Sequence, residues 1–204
     1  MTRRAFTLAT GNRHKLGEMV ELLPALELQP LPAGFEMPPE DGDSFEANAL
    51  IKARAAHAAT GEATIADDSG VAAADLGGDP GIYSARYAGE GASDEVNLDK
   101  LLREVDAAAG NRRAAYVCVL ALIDDDGAEH VFEATCEGRL LAERRGDGGF
   151  GYDPAFVPDD TGPEDERTYA ELSAAEKNAI SHRGRAARLL AAHLGISAAT
   201  AGPP

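Results

Sequence analysis

The spacing of apolar residues changes along the chain, and these changes predict alternating strands and helices. Residues 4–9 form a short apolar run typical of a buried strand. After it, apolar residues at 16, 19, 20 and 23 share one helix face. The same criteria predict helices over 44–59, 93–108 and 174–194, and strands over 63–66, 116–123 and 129–137. The interleaving predicts an α/β fold, a single bilobed domain with a mixed, twisted sheet flanked by helices.

Turn residues separate these elements. The prolines between 30 and 43 predict a loop or a broken edge strand, and 146–151 form a glycine-rich loop. The acidic turn 124–127 joins two predicted strands as a β-hairpin. We expect one domain over 1–195 and a frayed tail over 196–204.

The charge balance excludes one class of partner. Asp and Glu number 35 against 19 Lys and Arg, a net charge of −16, whereas general nucleic-acid binders carry a surplus of basic residues. No apolar run approaches the roughly 18 residues of a membrane span, and the N-terminal apolar run is too short for a signal peptide. We therefore expect a cytoplasmic protein that binds neither nucleic acid nor membrane.

Cysteine and lysine usage add two further expectations. Cys118 and Cys136 lie in hydrophobic runs without metal-ligand spacing, so both are predicted to be buried free thiols. Four of the basic residues are lysines, and they are Lys15, Lys52, Lys100 and Lys177. Because arginine predominates elsewhere, each lysine position is a candidate for a specific role.

The first candidate site is the turn between the first strand and the first helix. It comprises Thr10, Gly11, Asn12, Arg13, His14 and Lys15. A tight turn before a helix offers backbone N–H groups and the positive end of the helix dipole to an anion. Lys15 would oppose that dipole in the first turn, and a bound phosphate would relieve the conflict. An ordinary strand-to-helix turn is the alternative.

A second candidate is the acidic pair Asp67 and Asp68, expected at the end of the strand over 63–66. Ligands of open α/β sheets bind beyond the carboxyl ends of strands, and paired carboxylates suit Mg²⁺. Successive strand residues face opposite ways, so one of the two is expected to reach the metal. A solvated acidic turn is the alternative, as at 124–127.

Three weaker groups follow along the chain. Glu40 precedes the helix that carries Asn48 and Lys52 on one face. Phe150 lies between glycines that leave its ring open to a flat base, and Asp153 offers an acceptor to ring N–H groups. The segment 176–183 collects cations, a serine and a histidine within two predicted helical turns. Solvated, core or ion-pair roles are the alternatives.

Taken in order, six motifs resemble the inosine triphosphate pyrophosphatase family, from about residue 6 to residue 194. The motifs are Ala-Thr-Gly-Asn-x-x-Lys-x-x-Glu at 9–18, Ser-Phe-x-x-Asn-Ala-x-x-Lys-Ala at 44–53, Ala-Asp-Asp-Ser-Gly at 66–70, Pro-Gly-Ile-Tyr-Ser-Ala-Arg-Tyr at 80–87, Gly-Phe-Gly-Tyr-Asp-Pro at 149–154, and Glu-Lys-Asn-Ala-Ile-Ser-His-Arg at 176–183. Family members hydrolyse ITP, dITP and XTP to the monophosphate and pyrophosphate, usually as homodimers.

The resemblance implies a role for each matched residue. Residues 10–15 and Lys52 would bind the triphosphate. Asp68 would hold Mg²⁺ and accept a proton from the attacking water, with Asp67 and Glu40 as further metal-site groups. Ser69 would touch the substrate. The base pocket would comprise Phe150, Gly151, Tyr152, Asp153, Lys177, His182 and Arg183.

Two other functions stay open from the sequence. The same architecture suits a pyrophosphatase for modified pyrimidine nucleotides, or a nucleotide-binding module that does no chemistry. For the purine function, our hypothesis is that His182, Arg183 or a backbone N–H donates to the 6-oxo group of the base. An unpaired buried donor costs about 1–3 kcal/mol, so adenine would be disfavoured by roughly 10- to 100-fold. Guanine shares the 6-oxo group and is not excluded by this contact.

Overall fold

A computed structural model describes residues 4–199 of the chain. Its strands are β1 Ala5–Ala9, β2 Glu27–Pro30, β3 Thr64–Ala73, β4 Arg113–Ile123, β5 Glu129–Leu140 and β6 Phe156–Pro158. Its α-helices are α1 Arg13–Leu22, α2 Phe45–Thr60, α3 Asp94–Ala108, α4 Ala174–Ile180 and α5 His182–His193. Short 3-10 helices, among them Gly81–Arg86, lie in the connections.

The strands form one mixed sheet. They are hydrogen-bonded in the order β2-β1-β3-β4-β5-β6, and β1 is parallel to both β2 and β3. β6 is antiparallel to β5. β4 and β5 are neighbours joined by a short turn, which only an antiparallel hairpin allows. The predicted α/β class with a mixed sheet and flanking helices is confirmed.

Within the described residues, the chain divides into two compact units. Unit 1 contains 4–68, 118–134 and 183–199, and unit 2 contains 69–117 and 135–182. β1, β2, α1, α2 and α5 except its first residue belong to unit 1, whereas α3, α4 and β6 belong to unit 2. Each unit has buried apolar residues of its own, so each has the core that positions its polar side chains.

Side-chain caps order the starts of three helices. The side chain of Asn12 caps α1, Ser44 caps α2 and Ser93 caps α3, each accepting hydrogen bonds from first-turn N–H groups. Gly61 ends α2 in the left-handed conformation. These caps fix the first turns of α1 and α2, the helices that carry Lys15 and Lys52.

β3 is longer than predicted, so Asp67 and Asp68 do not lie at its end. The strand continues to Ala73 through Ser69 and Gly70. A Cβ on Gly70 would lie 2.4 Å from the carbonyl oxygen of Gly81, so only glycine permits this close approach. The turn-like sequence 67–70 is therefore an extended, largely buried segment.

The single helix predicted over 174–194 is two helices in the structure, α4 and α5. It breaks at Ser181, which has extended backbone angles of φ −65° and ψ 156° between α4 and α5. The chain passes from unit 2 to unit 1 directly after His182. A change of unit leaves no local signal in the sequence, since neither glycine nor proline stands at the break.

The chain end departs from the expected frayed tail in the part that the structure describes. Ile196 and Ala198 pack against the core of unit 1, and Ala199 N–H donates to the Leu22 carbonyl at 3.0 Å. Residues 200–204 of that prediction, like 1–3 at the other end, lie outside the described residues. The predicted buried free thiols Cys118 and Cys136 are confirmed. Over residues 4–199, no helix is long and apolar enough to cross a membrane.

Candidate active site

Unit 1 gathers charged side chains from three elements. Lys15 comes from α1, Lys52 from α2, and Asp67 and Asp68 are neighbours on β3. Asp67 and Asp68 are both buried, with 2% and 6% of their surface exposed. Buried carboxylates require cations or other partners, and these two have different ones.

Asp67 is held by two cations. Its Oδ1 lies 2.5 Å from Lys15 Nζ, and its Oδ2 accepts from Arg183 Nε at 2.9 Å. Arg183 also donates from an Nη atom to Glu18 Oε2 at 2.5 Å. Burial favours the protonated form of Asp67, but Arg183 and Lys15 outweigh it and hold the pKa of this carboxyl well below its usual range. Asp67 is therefore a fixed anion.

Asp68 is bound directly by Lys52, which it shares with Glu40. Its Oδ1 accepts from Lys52 Nζ at 2.9 Å, and the same Nζ lies 2.5 Å from Glu40 Oε1. Burial raises the pKa of Asp68 above its usual value, against the lowering effect of Lys52. Burial would lower the pKa of Lys52, but its two carboxylate neighbours raise it. This group carries two carboxylates against one ammonium.

One atom of Asp68 lacks a protein partner. Its Oδ2 is buried and has no hydrogen-bond partner among the described residues. A buried carboxylate oxygen without a partner is unfavourable, and carboxylate oxygens are ligands that Mg²⁺ prefers. Asp68 and Glu40, with their excess negative charge, therefore fit a divalent cation. Both oxygens of Asp67 are instead engaged by cations.

The turn over residues 10–15 is exposed and ordered by its own side chains. Asn12 Oδ1 accepts from the N–H groups of His14 at 2.9 Å and Lys15 at 3.2 Å, and Thr10 Oγ1 accepts from Asn12 N–H at 3.1 Å. Asn12 therefore already satisfies two first-turn donors that were expected to face an anion. Gly11, Asn12, Arg13 and His14 are exposed, and Thr10 and Lys15 are partly so.

Asn48, on the same face of α2 as Lys52, contacts the loop that carries Glu40. Its Oδ1 accepts from the Gly42 N–H at 2.9 Å, which ties α2 to the loop just after Glu40. A Cβ on Gly42 would lie 2.7 Å from the Cβ of Ala47, so the loop approaches α2 closely at a glycine. Asn48 therefore positions the Glu40 loop.

Unit 2 has a second polar cluster, centred on Asp153. This carboxylate, 2% exposed, accepts from Tyr116 Oη at 3.0 Å through Oδ1. Through Oδ2 it accepts from Phe150 N–H at 2.9 Å and from Lys177 Nζ at 2.6 Å. The Lys177 ammonium also lies 5.0 Å from the centre of the Phe150 ring. Asp153 thereby fixes both the Phe150 loop and the lysine.

Aromatic rings surround this cluster. The Tyr116 ring stacks on the His182 imidazole, with centroids 4.5 Å apart and planes at 12°, and on Tyr169 with centroids 5.6 Å apart. Tyr152 Oη donates to the Ser84 carbonyl at 2.7 Å. Phe150 and Gly151 are only partly buried. The cluster thus combines the partly exposed ring of Phe150 with the buried ion pair of Asp153 and Lys177. Such a combination suits recognition of a flat polar ligand.

The placements agree with the sequence predictions in part. Lys52, Asp68 and Glu40 come together in unit 1, and Phe150, Asp153 and Lys177 come together in unit 2 with His182 nearby. Ser69 follows Asp68 on β3 and is partly buried. Asp67 lies in an ion-pair network with Lys15 and Arg183, and Arg183 also binds the Glu18 carboxylate. The roles of Asp67 in the metal site and of Arg183 in the base pocket stay predictions.

Sequence reasoning missed three contributors. Glu18 pairs with Arg183, and its position three residues after Lys15 on one helix was the available signal. Tyr116 donates to Asp153, but in the sequence it is one more apolar strand residue. Cys118 lies with Sγ 3.3 Å from Asp67 Oδ2, and burial raises the pKa of its thiol well above the usual value. Nothing local distinguishes Tyr116 or Cys118 from core residues.

Comparisons with known proteins identify the family of the chain. The model of the Ham1 family matches residues 6–193. A protein named dITP/XTP pyrophosphatase from Mycolicibacterium paratuberculosis is 49% identical over 191 residues, covering 90% of this chain and 92% of that protein. A protein of the same name from Corynebacterium diphtheriae is 46% identical over 192 residues, covering 90% of this chain and 93% of that protein.

Solved structures give the same result for the fold. A HAM1 protein from Coxiella burnetii matches with a TM-score of 0.83 and 41% identity, covering 94% of this chain and 98% of that one. The Ham1 protein of Staphylococcus aureus matches with a TM-score of 0.82 and 38% identity over the same shares. These matches span nearly the whole chain and confirm the resemblance drawn from the six motifs: the chain belongs to the Ham1 family.

Proposed function

We propose that this protein hydrolyses the deaminated purine nucleoside triphosphates ITP, dITP and XTP to the monophosphate and pyrophosphate, with Mg²⁺ as cofactor. The observation that carries the proposal is the buried Oδ2 of Asp68, which has no hydrogen-bond partner within residues 4–199 while Lys52 holds Oδ1. The names of the relatives, dITP/XTP pyrophosphatase, support the substrate class.

The residues of unit 1 supply the phosphate chemistry. When bound, Mg²⁺ would be held by Asp68 and Glu40, would neutralise phosphate charge and would polarise a phosphorus–oxygen bond. Asp68 would orient and deprotonate the attacking water. Lys52, shared by two carboxylates, keeps Asp68 ionised and can face phosphate. The exposed turn over residues 10–15 would bind the phosphate chain through Lys15, Arg13 and backbone N–H groups that Asn12 leaves available.

The residues of unit 2 supply base recognition. The partly exposed Phe150 ring would stack on the purine, while Asp153 holds the Phe150 backbone and Lys177 in place. Since Arg183 is bound to Asp67 and Glu18, we assign the donor to the 6-oxo group to His182, whose ring plane is fixed by Tyr116. An adenine 6-amino group would meet this donor with another donor, which disfavours ATP.

Pyrophosphate release from a substrate panel tests the proposal. Tag-free protein is incubated with ITP, dITP, XTP, GTP, ATP and a modified UTP, with Mg²⁺ or with EDTA. We expect turnover of ITP, dITP and XTP that EDTA abolishes. Preferred turnover of the modified UTP would indicate a pyrimidine enzyme instead, and ITP binding without pyrophosphate would indicate a binding module.

Asp68→Asn tests the residue assignment. The amide removes the negative charge and the metal-binding oxygen, so we expect loss of turnover by at least about 100-fold, the contribution typical of a general base. Asp126→Asn, in the exposed hairpin turn, is the matched control and should keep wild-type activity. Near-wild-type activity of Asp68→Asn, with an unchanged melting temperature, would remove Asp68 from this role.

The homodimer stays a prediction from the resemblance, and the cytoplasmic location stays a prediction from the sequence. Light scattering coupled to size exclusion measures the oligomeric state directly. A single species of twice the chain mass of 21.3 kDa is expected.

A further inference from the structure

Unit 1 has a second cluster of titratable side chains that the proposed function does not use. Asp124, His130 and His193 each place one potential ligand atom within 4.8 Å of the others. The group combines two imidazoles with one carboxylate. Asp124 and His130 are partly buried, and His193 is exposed, so the cluster is accessible from solvent.

A hydrogen-bonded turn holds Asp124, and regular elements hold the two histidines. Asp124 begins the turn between β4 and β5, which is closed by hydrogen bonds from Asp124 N–H to the Ala128 carbonyl and from Gly127 N–H to the Asp124 carbonyl, both 3.0 Å. His130 is the second residue of β5, and His193 is the last residue of α5. The His193 ring also packs against Phe132, with centroids 5.4 Å apart. Ligands on such elements lose little freedom when they bind an ion.

The spacing suits a small tetrahedral ion. His130 Nε2 and Asp124 Oδ2 are 3.0 Å apart. Zinc bonds of about 2.0–2.2 Å place two tetrahedral ligand atoms roughly 3.4 Å apart, so this pair is already near the required separation. The His130 and His193 rings have centroids 4.3 Å apart at 46°, and His193, at the exposed edge, can rotate toward the pair.

The surrounding charges favour one oxygen of Asp124 as the ligand. Arg4 contacts Oδ1 at 3.3 Å and also pairs with Asp125 at 2.9 Å. Oδ2, on the His130 side, is then the oxygen directed at the cluster. Hydrogen bonding of a ligand carboxylate by an outer residue is a recurrent feature of metal sites.

We propose that Asp124, His130 and His193 form a binding site for Zn²⁺ or a similar transition-metal dication. Two imidazole nitrogens and one carboxylate are the donor set of many three-ligand zinc sites, with water as the fourth ligand. Mg²⁺ and Ca²⁺ prefer oxygen donors and would not compete effectively here. The bound ion would connect the β4–β5 turn to the end of α5.

Zinc binding by tag-free, EDTA-treated protein tests the site. Equilibrium dialysis against Zn²⁺ is carried out above neutral pH in excess Mg²⁺, which occupies oxygen-rich sites. We expect wild-type protein to bind one equivalent more than His193→Gln, whose affinity at this site should fall by about 100-fold or more. His130→Gln should give the same loss. Because His193 is exposed, its substitution leaves the fold intact.

His57→Gln is the matched control. His57 lies on α2, and its Nδ1 is 2.7 Å from the Glu62 carbonyl oxygen, outside the cluster. This variant should retain the full zinc stoichiometry. Wild-type protein in which Co²⁺ replaces Zn²⁺ should show a tetrahedral visible spectrum that disappears in His193→Gln.

Two results would overturn the proposal. If wild type and His193→Gln bind the same number of zinc ions with the same affinity, the cluster is a hydrogen-bonded pair of His130 and Asp124 and not a metal site. Loss of zinc from His57→Gln as well would indicate nonspecific imidazole binding. Either outcome is independent of pyrophosphate release, which involves none of these residues.

Discussion

Lys15 Nζ lies 2.5 Å from Asp67 Oδ1, so a lysine in the first turn of α1 meets a buried carboxylate of β3. A cation at a helix N-terminus is unfavourable because it faces the positive end of the helix dipole. Asp67 offsets this cost without any ligand. The lysine side chain is 15% exposed, and it can therefore contact phosphate while Arg183 continues to hold Asp67.

Lys15→Ala should weaken substrate binding more than it slows turnover. A hydrogen bond to a charged group contributes about 1.5–3 kcal/mol, so we expect KM for ITP to rise by roughly 10- to 100-fold with a smaller change in kcat. Steady-state pyrophosphate release gives both constants. Lys100→Ala, on α3, is the control and should leave KM unchanged. An unchanged KM for Lys15→Ala would argue against a phosphate contact.

Asp67→Asn should reduce stability most at neutral pH. Breaking a buried ion pair costs about 3–5 kcal/mol, because Arg183 and Lys15 would both lose the charge of Asp67 as their partner. The pKa of Asp67 is lowered in the folded state, so its contribution is full above the usual value of 3.8 and is lost as pH falls toward the folded pKa. The difference between wild type and variant should therefore shrink on acidification.

Urea unfolding across the acidic range measures this difference. The control is Asp159→Asn, which breaks the surface pair between Asp159 and Arg113 at 2.6 Å and should cost less than about 1 kcal/mol. A constant difference between wild type and Asp67→Asn at every pH would show that Asp67 does not titrate with folding. Equal costs for the two variants would contradict the special role of the buried network.

Local patterns predicted the elements better than the partners of their side chains. The caps Asn12, Ser44 and Ser93 act through neighbours in sequence, so the helix starts could be read directly. The extension of β3 depends on Gly70 approaching Gly81, a contact between distant positions. The same limit applies to the break at Ser181, where the chain changes unit.

In the candidate site, too, the sequence indicated the residues but not their partners. Lysine scarcity pointed to Lys15, Lys52 and Lys177, and each one pairs with a buried carboxylate. Which carboxylate each cation takes is a tertiary property. Arg183 follows His182 in sequence, yet its guanidinium donates to the carboxylates of Asp67 and Glu18. The chain passes from unit 2 to unit 1 between His182 and Arg183.

Tyr116→Phe should disturb Asp153 while keeping the aromatic stack. The variant removes the hydroxyl that donates to Asp153 Oδ1 at 3.0 Å and leaves a buried carboxylate oxygen without this donor. We expect a loss of about 1–3 kcal/mol in the free energy of unfolding and a higher KM for ITP. Tyr83→Phe, with a tyrosine that is 53% exposed, should change neither quantity. No loss of stability in Tyr116→Phe would mean that the hydroxyl bond contributes little.

Gly149→Ala should damage the Phe150 loop more than backbone strain alone explains. Gly149 has φ +67°, and a Cβ there would lie 2.1 Å from Asp153 Oδ2, the oxygen that accepts from Phe150 N–H and Lys177. Gly34→Ala is the matched control, because Gly34 has φ +83° but nothing within 4 Å of the added Cβ. Both variants carry the left-handed backbone penalty of about 1–2 kcal/mol. Urea unfolding should show a larger cost for Gly149→Ala, and only this variant should raise KM for ITP. Equal losses of stability and an unchanged KM would mean that Asp153 can move aside without consequence for the base pocket.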